Sequence, residues 1–297
     1  MIDLVIDARK RDLGGFEVGR VLPFVERRMV GPFVFLDHMG PATFKPDMGL
    51  DVRPHPHIGL STVTYLFEGE IVHRDSLGYT QPIRPGELNW MTAGRGIVHS
   101  ERTDPAIRIH GGPMHGMQAW VALPVEAEET APSFHHHDQA EMPTYEQDRL
   151  WGRLIAGEAY GARSQVPTHS PLFYVHWEMQ AGARGAPPEG HSEQALFVAR
   201  GAVEVDGRTL HAGQMAVLSP GARPTITATA PATVMLLGGE PLGKRYIWWN
   251  LVSSSQERIE QAKADWKAGR MPLPPGDDVE FIPLPEDPPK PAPERMS

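Results

Sequence analysis

The sequence contains no cysteine in its 297 residues. That absence excludes disulfides, thiolate zinc sites, iron-sulfur clusters and a cysteine nucleophile, so any metal must be held by nitrogen and oxygen. Positive charge is also in short supply: 28 Lys and Arg stand against 37 Asp and Glu, a formal net charge of -9. A nucleic-acid footprint needs clustered cations, and the short runs Arg9 to Arg11 and Arg27-Arg28 read as solvated faces. No apolar run approaches a membrane span, and MIDLVIDARKRDLGG at the amino terminus has no apolar core of signal-peptide length. A soluble, cytoplasmic protein with no direct nucleic-acid or membrane partner is the expectation. Long helical periods are scarce as well. Thirty prolines and thirty glycines favour short strands joined by turns, so the expected class is mostly β, in one large domain or two of ordinary size.

What the chain does contain is a chemical cluster between Arg53 and Glu101, opening with RPHPHIG and closing with GRGIVHSE. Residues two apart on a strand share a face, so His55 and His57 can aim at one point, and so can His99 and Glu101. The sequence between them reads as sheet. Ser61 to Phe67 is β-branched and aromatic, Glu68-Gly69 is a turn signal, and Ile71 to Arg74 restarts a strand. Pro85-Gly86 then leads into Glu87 to Met91, and Gly94 and Gly96 carry the chain to His99. Two such strands facing each other would form a metal cage.

This layout resembles a cupin, in which an HxH motif and a later glycine-rich turn ending in His line the mouth of a jelly-roll barrel. HPHIGLSTVTYLFEGEIVHRDSLG and GELNWMTAGRGIVHSE further resemble the signature of the pirin family. The likeness extends to RMVGPFVFLDHMGP from Arg28, GMQAWVALP from Gly116 and KRYIWWNLVSSSQERIEQAKADW from Lys244. The resemblance implies that His55, His57, His99 and Glu101 bind iron and that the chain is a monomer. Some members of the family are flavonol 2,4-dioxygenases, usually called quercetin 2,3-dioxygenases or quercetinases, which use O2 and release carbon monoxide. In such a reaction Glu101, both ligand and nearby base, would accept the 3-hydroxyl proton of a flavonol-like aromatic substrate. The donor set alone suits Fe(II), Mn, Co, Ni or Zn. A six-coordinate ion would keep two positions for substrate and O2, whereas a tetrahedral zinc would be closed and structural. A different class also fits the resemblance: a non-enzymatic, redox-linked iron protein acting on a protein partner.

Elsewhere, His38 at the end of Pro32 to Leu36 reads as hydrogen-bonded structure, and His110 and His115 as turn caps in a GGPMHG loop ahead of a strand from Met117 to Leu123. The polar segment EAEETAPSFHHHDQAEMP reads as a connection whose histidines, 135 to 137, spread apart. A metal-binding cupin is thus expected over 1–135 and a second over 145–297. Strands are expected at Leu172 to Met179, Ala195 to Ala199, Ala202 to Val205 and Met215 to Leu218. Gly69, Gly86 and Gly94 are echoed by Gly201, Gly213 and Gly221, which implies a duplication and hence a bicupin. Counting from those glycines sets Ile226 opposite His99 and Ala228 opposite Glu101, with Pro224 in the alternative register. The second copy's first motif offers only His191 and Glu193, so this unit is expected to lack metal. Ser254 to Gly269 reads as a helix with a Ser254/Glu257 capping box and an apolar face of Ile259, Ala262 and Trp266. The proline-rich tail is expected to be mobile beyond about Glu286.

Overall fold

The computed structural model describes residues 1–12 and 16–285. The Gly14-Gly15 turn and the chain from Glu286 onward lie outside the described residues. The β-branched and aromatic runs form two barrels in tandem, each pairing one long antiparallel sheet with one of four strands. In the first barrel the long sheet runs Ser133–His137, Leu88–Thr92, Leu60–Glu68, Gly112–Ala122, Phe33–Phe44, Glu17–Leu22 and Arg9–Asp12. Its four-stranded sheet runs Asp51–His57, Ile97–Arg102, Ile71–Asp75 and Thr80–Ile83. The second barrel repeats the order. Its long sheet contains Gln214–Leu218, Glu193–Arg200, Ala232–Gly239, Leu172–Met179 and Leu150–Ala159; its short one runs Arg184–Gly185, Ile226–Ala228, Ala202–Val205 and Arg208–His211. The fold is mostly β, a bicupin with one substantial helix near the carboxy terminus.

Strand alternation decides what each sheet buries. One face of each long sheet joins a core between the barrels, where Tyr65, Trp90 and Met117 meet Tyr174, Phe197 and Met235. The opposite face lines the barrel interior, as Val18, Met39 and Leu66 do against Ile71 and Ile83 of the short sheet. Phe35 and Asp37 therefore face inward, while Leu36 and His38 face the neighbouring barrel.

The barrels exchange terminal segments. Ile2–Asp7 adds to Gln214–Leu218 of the second barrel, and in the matching place of the first barrel Ser133–His137 adds to Leu88–Thr92. The polar connection is thus partly a strand, because its sheet partner satisfies the backbone that composition alone assigns to solvent. At the other end, Tyr246–Trp248 and Leu251–Ser253 form a hairpin bridged to Ile58. Glu128, buried, anchors that hairpin by accepting from Ser253 Oγ (3.0 Å) and Ser254 N (2.9 Å) and pairing with Arg245 Nε (3.0 Å).

Two local expectations change. GGPMHG is largely strand, since Gly112–Ala122 pairs with Phe33–Phe44 and Leu60–Glu68 across almost its whole length. The helix is Gln256–Lys267 and its cap is Ser255, whose Oγ accepts from Arg258 N; Ser254 is engaged by Glu128 instead. Its buried face is Ile259, Ala262 and Trp266.

Candidate metal centre

The four candidate ligands lie on adjacent strands of one sheet rather than on two facing strands. Ile97–Arg102 pairs with Asp51–His57 so that His99 stands opposite His55, and Ile97 opposite His57. The irregularity between His99 and Glu101 in this pairing leaves the inward direction of both side chains intact. Ligating nitrogens of His55, His57 and His99 all lie within 4.8 Å of one another. All three rings are buried.

Hydrogen bonds set the tautomers. His55 Nδ1–H donates to the Arg53 carbonyl (2.8 Å) and His57 Nδ1–H to the Asn250 carbonyl (3.0 Å). A carbonyl can only accept, so each ring carries its proton on Nδ1 and turns the Nε2 lone pair inward. His57 Nε2 then lies 3.2 Å from His99 Nε2. With the His99 proton on Nδ1 as well, two lone pairs would face each other at that distance and need a cation between them, and ligands about 2.1 Å from one ion stand about 3.0 to 3.4 Å apart. The donors fit a divalent metal. Burial pulls the pKa of all three down, that of His55 to about 4, which keeps the imidazoles neutral and able to coordinate.

Glu101 lines the same cavity but falls outside the 4.8 Å group of imidazole donors. Its Oε1 lies 3.0 Å from the Thr64 hydroxyl, which also sits 2.8 Å from Gln118 Oε1. Burial raises the Glu101 pKa, opposed by His73 and by Thr64. A carboxyl so placed can hold a proton that an exposed one would lose.

The cavity, about 480 Å³, opens between aromatic walls and a basic rim. Phe35 and Trp120 stack at 3.9 Å, and Trp120 meets the His57 ring edge-on at 5.1 Å. Trp249, at φ 51° in the tight turn of the carboxy-terminal hairpin, adds its indole to the lining. On the rim, Arg9 stands opposite Arg20, and Arg20 opposite Asp37. Arg20 binds Asp37 through two hydrogen bonds of 2.9 and 2.8 Å. Arg11, two residues from Arg9 on the same strand face, lines the cavity as well.

Sequence reasoning missed four features here: the Asn250 carbonyl, Thr64, the arginine rim, and the buried pair His73 and Asp75 behind His99. The last had a signal, because HRD at 73 to 75 repeats the x-separated pattern of the ligand pairs. The other histidines lie elsewhere. His38 faces the second barrel, where its Nε2 meets His115 Nε2 at 2.8 Å; His115 is likewise a buried strand residue, not a turn cap. Of the triple histidine, His136 turns to Asn89 (2.8 Å) and forms a small cluster with Glu87 and Asp138, whereas the His135 and His137 rings lie together.

In the second barrel Ile226 stands opposite Val205, which holds the place of His73 counted from Gly69 and Gly201, so the strand register sets Ile226 at the place of Glu101 and Pro224, the alternative count, at that of His99. Gly185, opposite Ile226, answers to Val52, opposite Glu101, and neither His191 nor Glu193 lies on this strand. His191 lies on the loop that follows, and Glu193 opens the next strand, where Oε2 accepts from Gly31 N. Val203, Val205, Ile226 and Ala228 belong to an apolar core.

Fold and site together define a bicupin whose first barrel brings three imidazoles together. Residues 15–121 match the pirin family model and residues 174–272 that of the pirin C-terminal cupin domain. The chain is 65% identical over 289 residues to a pirin-like protein of Caulobacter vibrioides, covering 96% of this chain and 100% of the relative. Among solved structures, quercetin 2,3-dioxygenase from Acinetobacter baumannii superposes with a TM-score of 0.89 at 33% identity, covering 97% of each chain. A bacterial pirin from Escherichia coli in complex with nickel(II) shares the fold with a TM-score of 0.64 at 18% identity, covering 81% of this chain and 100% of that one. This chain belongs to the pirin family.

Proposed function

We propose that this protein is a metal-dependent dioxygenase that opens the heterocycle of a flavonol such as quercetin with O2 and releases carbon monoxide. The observation that carries this reading is the convergence of three neutral, inward-turned imidazoles at one end of an aromatic-walled cavity of about 480 Å³. That is space for a planar aromatic molecule beside an ion. The solved Acinetobacter baumannii relative named quercetin 2,3-dioxygenase supports the same chemistry. His55, His57 and His99 would hold the ion, with Glu101 as fourth ligand. A bound Fe(II) supplies Lewis acidity toward the substrate oxygen and the redox chemistry for O2.

The protein's own contribution is orientation and proton handling. Phe35 and Trp120 offer a flat face against which a flavonol can lie. Glu101 stands as the base for the 3-hydroxyl proton, and burial makes it a better acceptor than an exposed carboxylate. Thr64 holds that carboxylate in place. Arg9, Arg11 and Arg20, of which Arg20 is paired with Asp37, favour a substrate that carries negative charge on its oxygens.

The test is carbon monoxide release from quercetin in air by Fe(II)-reconstituted protein, with His57→Ala as control. Release lost in the control supports the dioxygenase; no release from verified iron-loaded protein overturns it. One observation favours a second reading, an iron protein whose redox state is reported to a protein partner: His57 is held by the hairpin that contains Asn250. A partner retained by Fe(III) and not by Fe(II) protein would identify that role.

A further inference from the structure

We propose that His73 and Asp75 form a positioning pair that keeps His99 in its metal-binding tautomer; this rests on the reading of His99 as a ligand. His99 differs from the other two histidines. His55 and His57 donate Nδ1–H to backbone carbonyls, whose acceptor character cannot change. The Nδ1 of His99 faces another imidazole nitrogen, His73 Nδ1, at 3.4 Å. An imidazole nitrogen accepts or donates according to where its ring carries the proton, so this contact alone does not decide which His99 nitrogen is free.

Asp75 decides it. Its Oδ2 lies 2.9 Å from His73 Nε2, and its Oδ1 accepts from Leu77 N at 2.9 Å and Tyr79 N at 3.2 Å. The carboxylate accepts on both oxygens and donates on neither. His73 must then carry its proton on Nε2 and present a lone pair at Nδ1. That lone pair requires a proton on His99 Nδ1, and His99 Nε2 is left free and aimed at His57 Nε2, 3.2 Å away. The surroundings hold this order in place: Asp75 is fully buried, and the His73 ring is stacked on Phe134 at 4.4 Å and 13°.

The duplication supplies an internal control. In the first barrel Asp75 pairs with His99 across the strands, and His73 with Glu101. Counted from the hairpin glycines Gly69 and Gly201, Val205 takes the place of His73 and Gly207 that of Asp75, so the pair Val205 with Ile226 answers to His73 with Glu101, and Pro224 stands in the place of His99. All four polar residues are replaced by apolar ones together. A fold that needed only to fill these positions does so with a valine and a glycine turn, and a buried ionisable pair costs desolvation that these do not. The polar pair therefore goes with the ligands and not with the barrel.

Asp75→Asn separates the proposal from a structural role. The amide that replaces the carboxylate keeps its one oxygen on the Leu77 and Tyr79 amides, which puts its NH2 group against His73 Nε2. That nitrogen must then accept, the His73 proton moves to Nδ1, and His99 is driven to carry its proton on Nε2, the atom that would bind metal. Co(II) affinity, measured by competition with a chromophoric chelator, should fall about 10- to 100-fold, and nitrogen NMR of the metal-free protein should report the changed His99 tautomer. The double variant His73→Asn/Asp75→Asn should recover most of the affinity, because an amide side chain at position 73 can offer His99 Nδ1–H a carbonyl oxygen whatever stands at position 75. Should Asp75→Asn not fold, His73→Asn against His73→Leu makes the same comparison, with the loss expected in the leucine variant alone. Wild-type affinity in Asp75→Asn, or no recovery in the double variant, overturns the pair's role and leaves the ligand assignment standing. Failure of the wild-type protein itself to bind Co(II) would remove the ligand assignment and the pair with it.

Discussion

His57 Nδ1 donates to the backbone carbonyl of Asn250 across 3.0 Å of space and 193 residues of chain. A candidate ligand on the first barrel is therefore oriented by a hairpin that follows the second. The hairpin is in turn held by Glu128, which accepts from Ser253 and Ser254 and neutralises Arg245, whose side chain is 2% exposed. Replacing Glu128 by Ala leaves that guanidinium buried without its anion. Stability should fall by about 3 to 5 kcal/mol, read by denaturant unfolding, and metal affinity should fall with it as Asn250 loosens. Unchanged affinity in folded Glu128→Ala would show that His57 does not depend on the hairpin.

Glu101→Gln keeps the shape and the contact to Thr64 while removing the basic oxygen. The three imidazoles remain, so metal content should be mostly preserved. Flavonol turnover should be abolished. Turnover at the wild-type rate in protein with full metal loading would assign the proton transfer to another group.

The rim gives a distinct kinetic signature. Arg11 lines the cavity without touching the imidazole cluster, so Arg11→Ala should raise KM for an anionic flavonol about two- to fivefold, the range of an exposed charge pair, with kcat little changed. The difference should shrink as ionic strength rises, because the Debye length falls from about 10 Å at 0.1 M salt to about 3 Å at 1 M. A change confined to kcat, or one indifferent to salt, would contradict electrostatic capture.

The buried histidines make a prediction about acid stability. Burial lowers His38 to about 3 and His55 and His115 to about 4, and it lowers His57 and His99 well below the ordinary value. Between about pH 6.5, the unfolded value, and pH 4 the unfolded chain takes up protons that the native protein refuses. The unfolded state then binds more protons, so stability rises with pH across this window and falls on acidification. Asp37 and Glu101, raised by burial, oppose the trend, two carboxyls against five imidazoles. Thermal scans of metal-free protein should show Tm declining from pH 7 to pH 4.5. A Tm that is flat or higher at the acid end would argue that these rings are protonated in the native state.

The sequence by itself determined the parts of this protein that depend on local spacing. Strand periodicity and β-branched residues set the sheets, as Leu172–Met179 and Ala202–Val205 show, and glycines at matching intervals revealed the duplication. Because a strand alternates faces, HPH and HSE could be recognised as paired donors before any fold was known. Counting from Gly94 and Gly221 set Ile226 opposite His99, whereas the strand register sets it opposite Glu101 and leaves Pro224, the alternative count, in the histidine place. What spacing could not decide was which strand lies beside which. His38 and His115 looked like isolated histidines until the pairing of Phe33–Phe44 with Gly112–Ala122 set them 2.8 Å apart. Asp75 and His73 acquired a role only when Ile71–Asp75 was laid against Ile97–Arg102, and Asn250 only when the carboxy-terminal hairpin closed on the first barrel. Those relationships are contacts between residues distant in sequence, fixed by the burial of whole sheet faces, and tertiary structure alone brought them together.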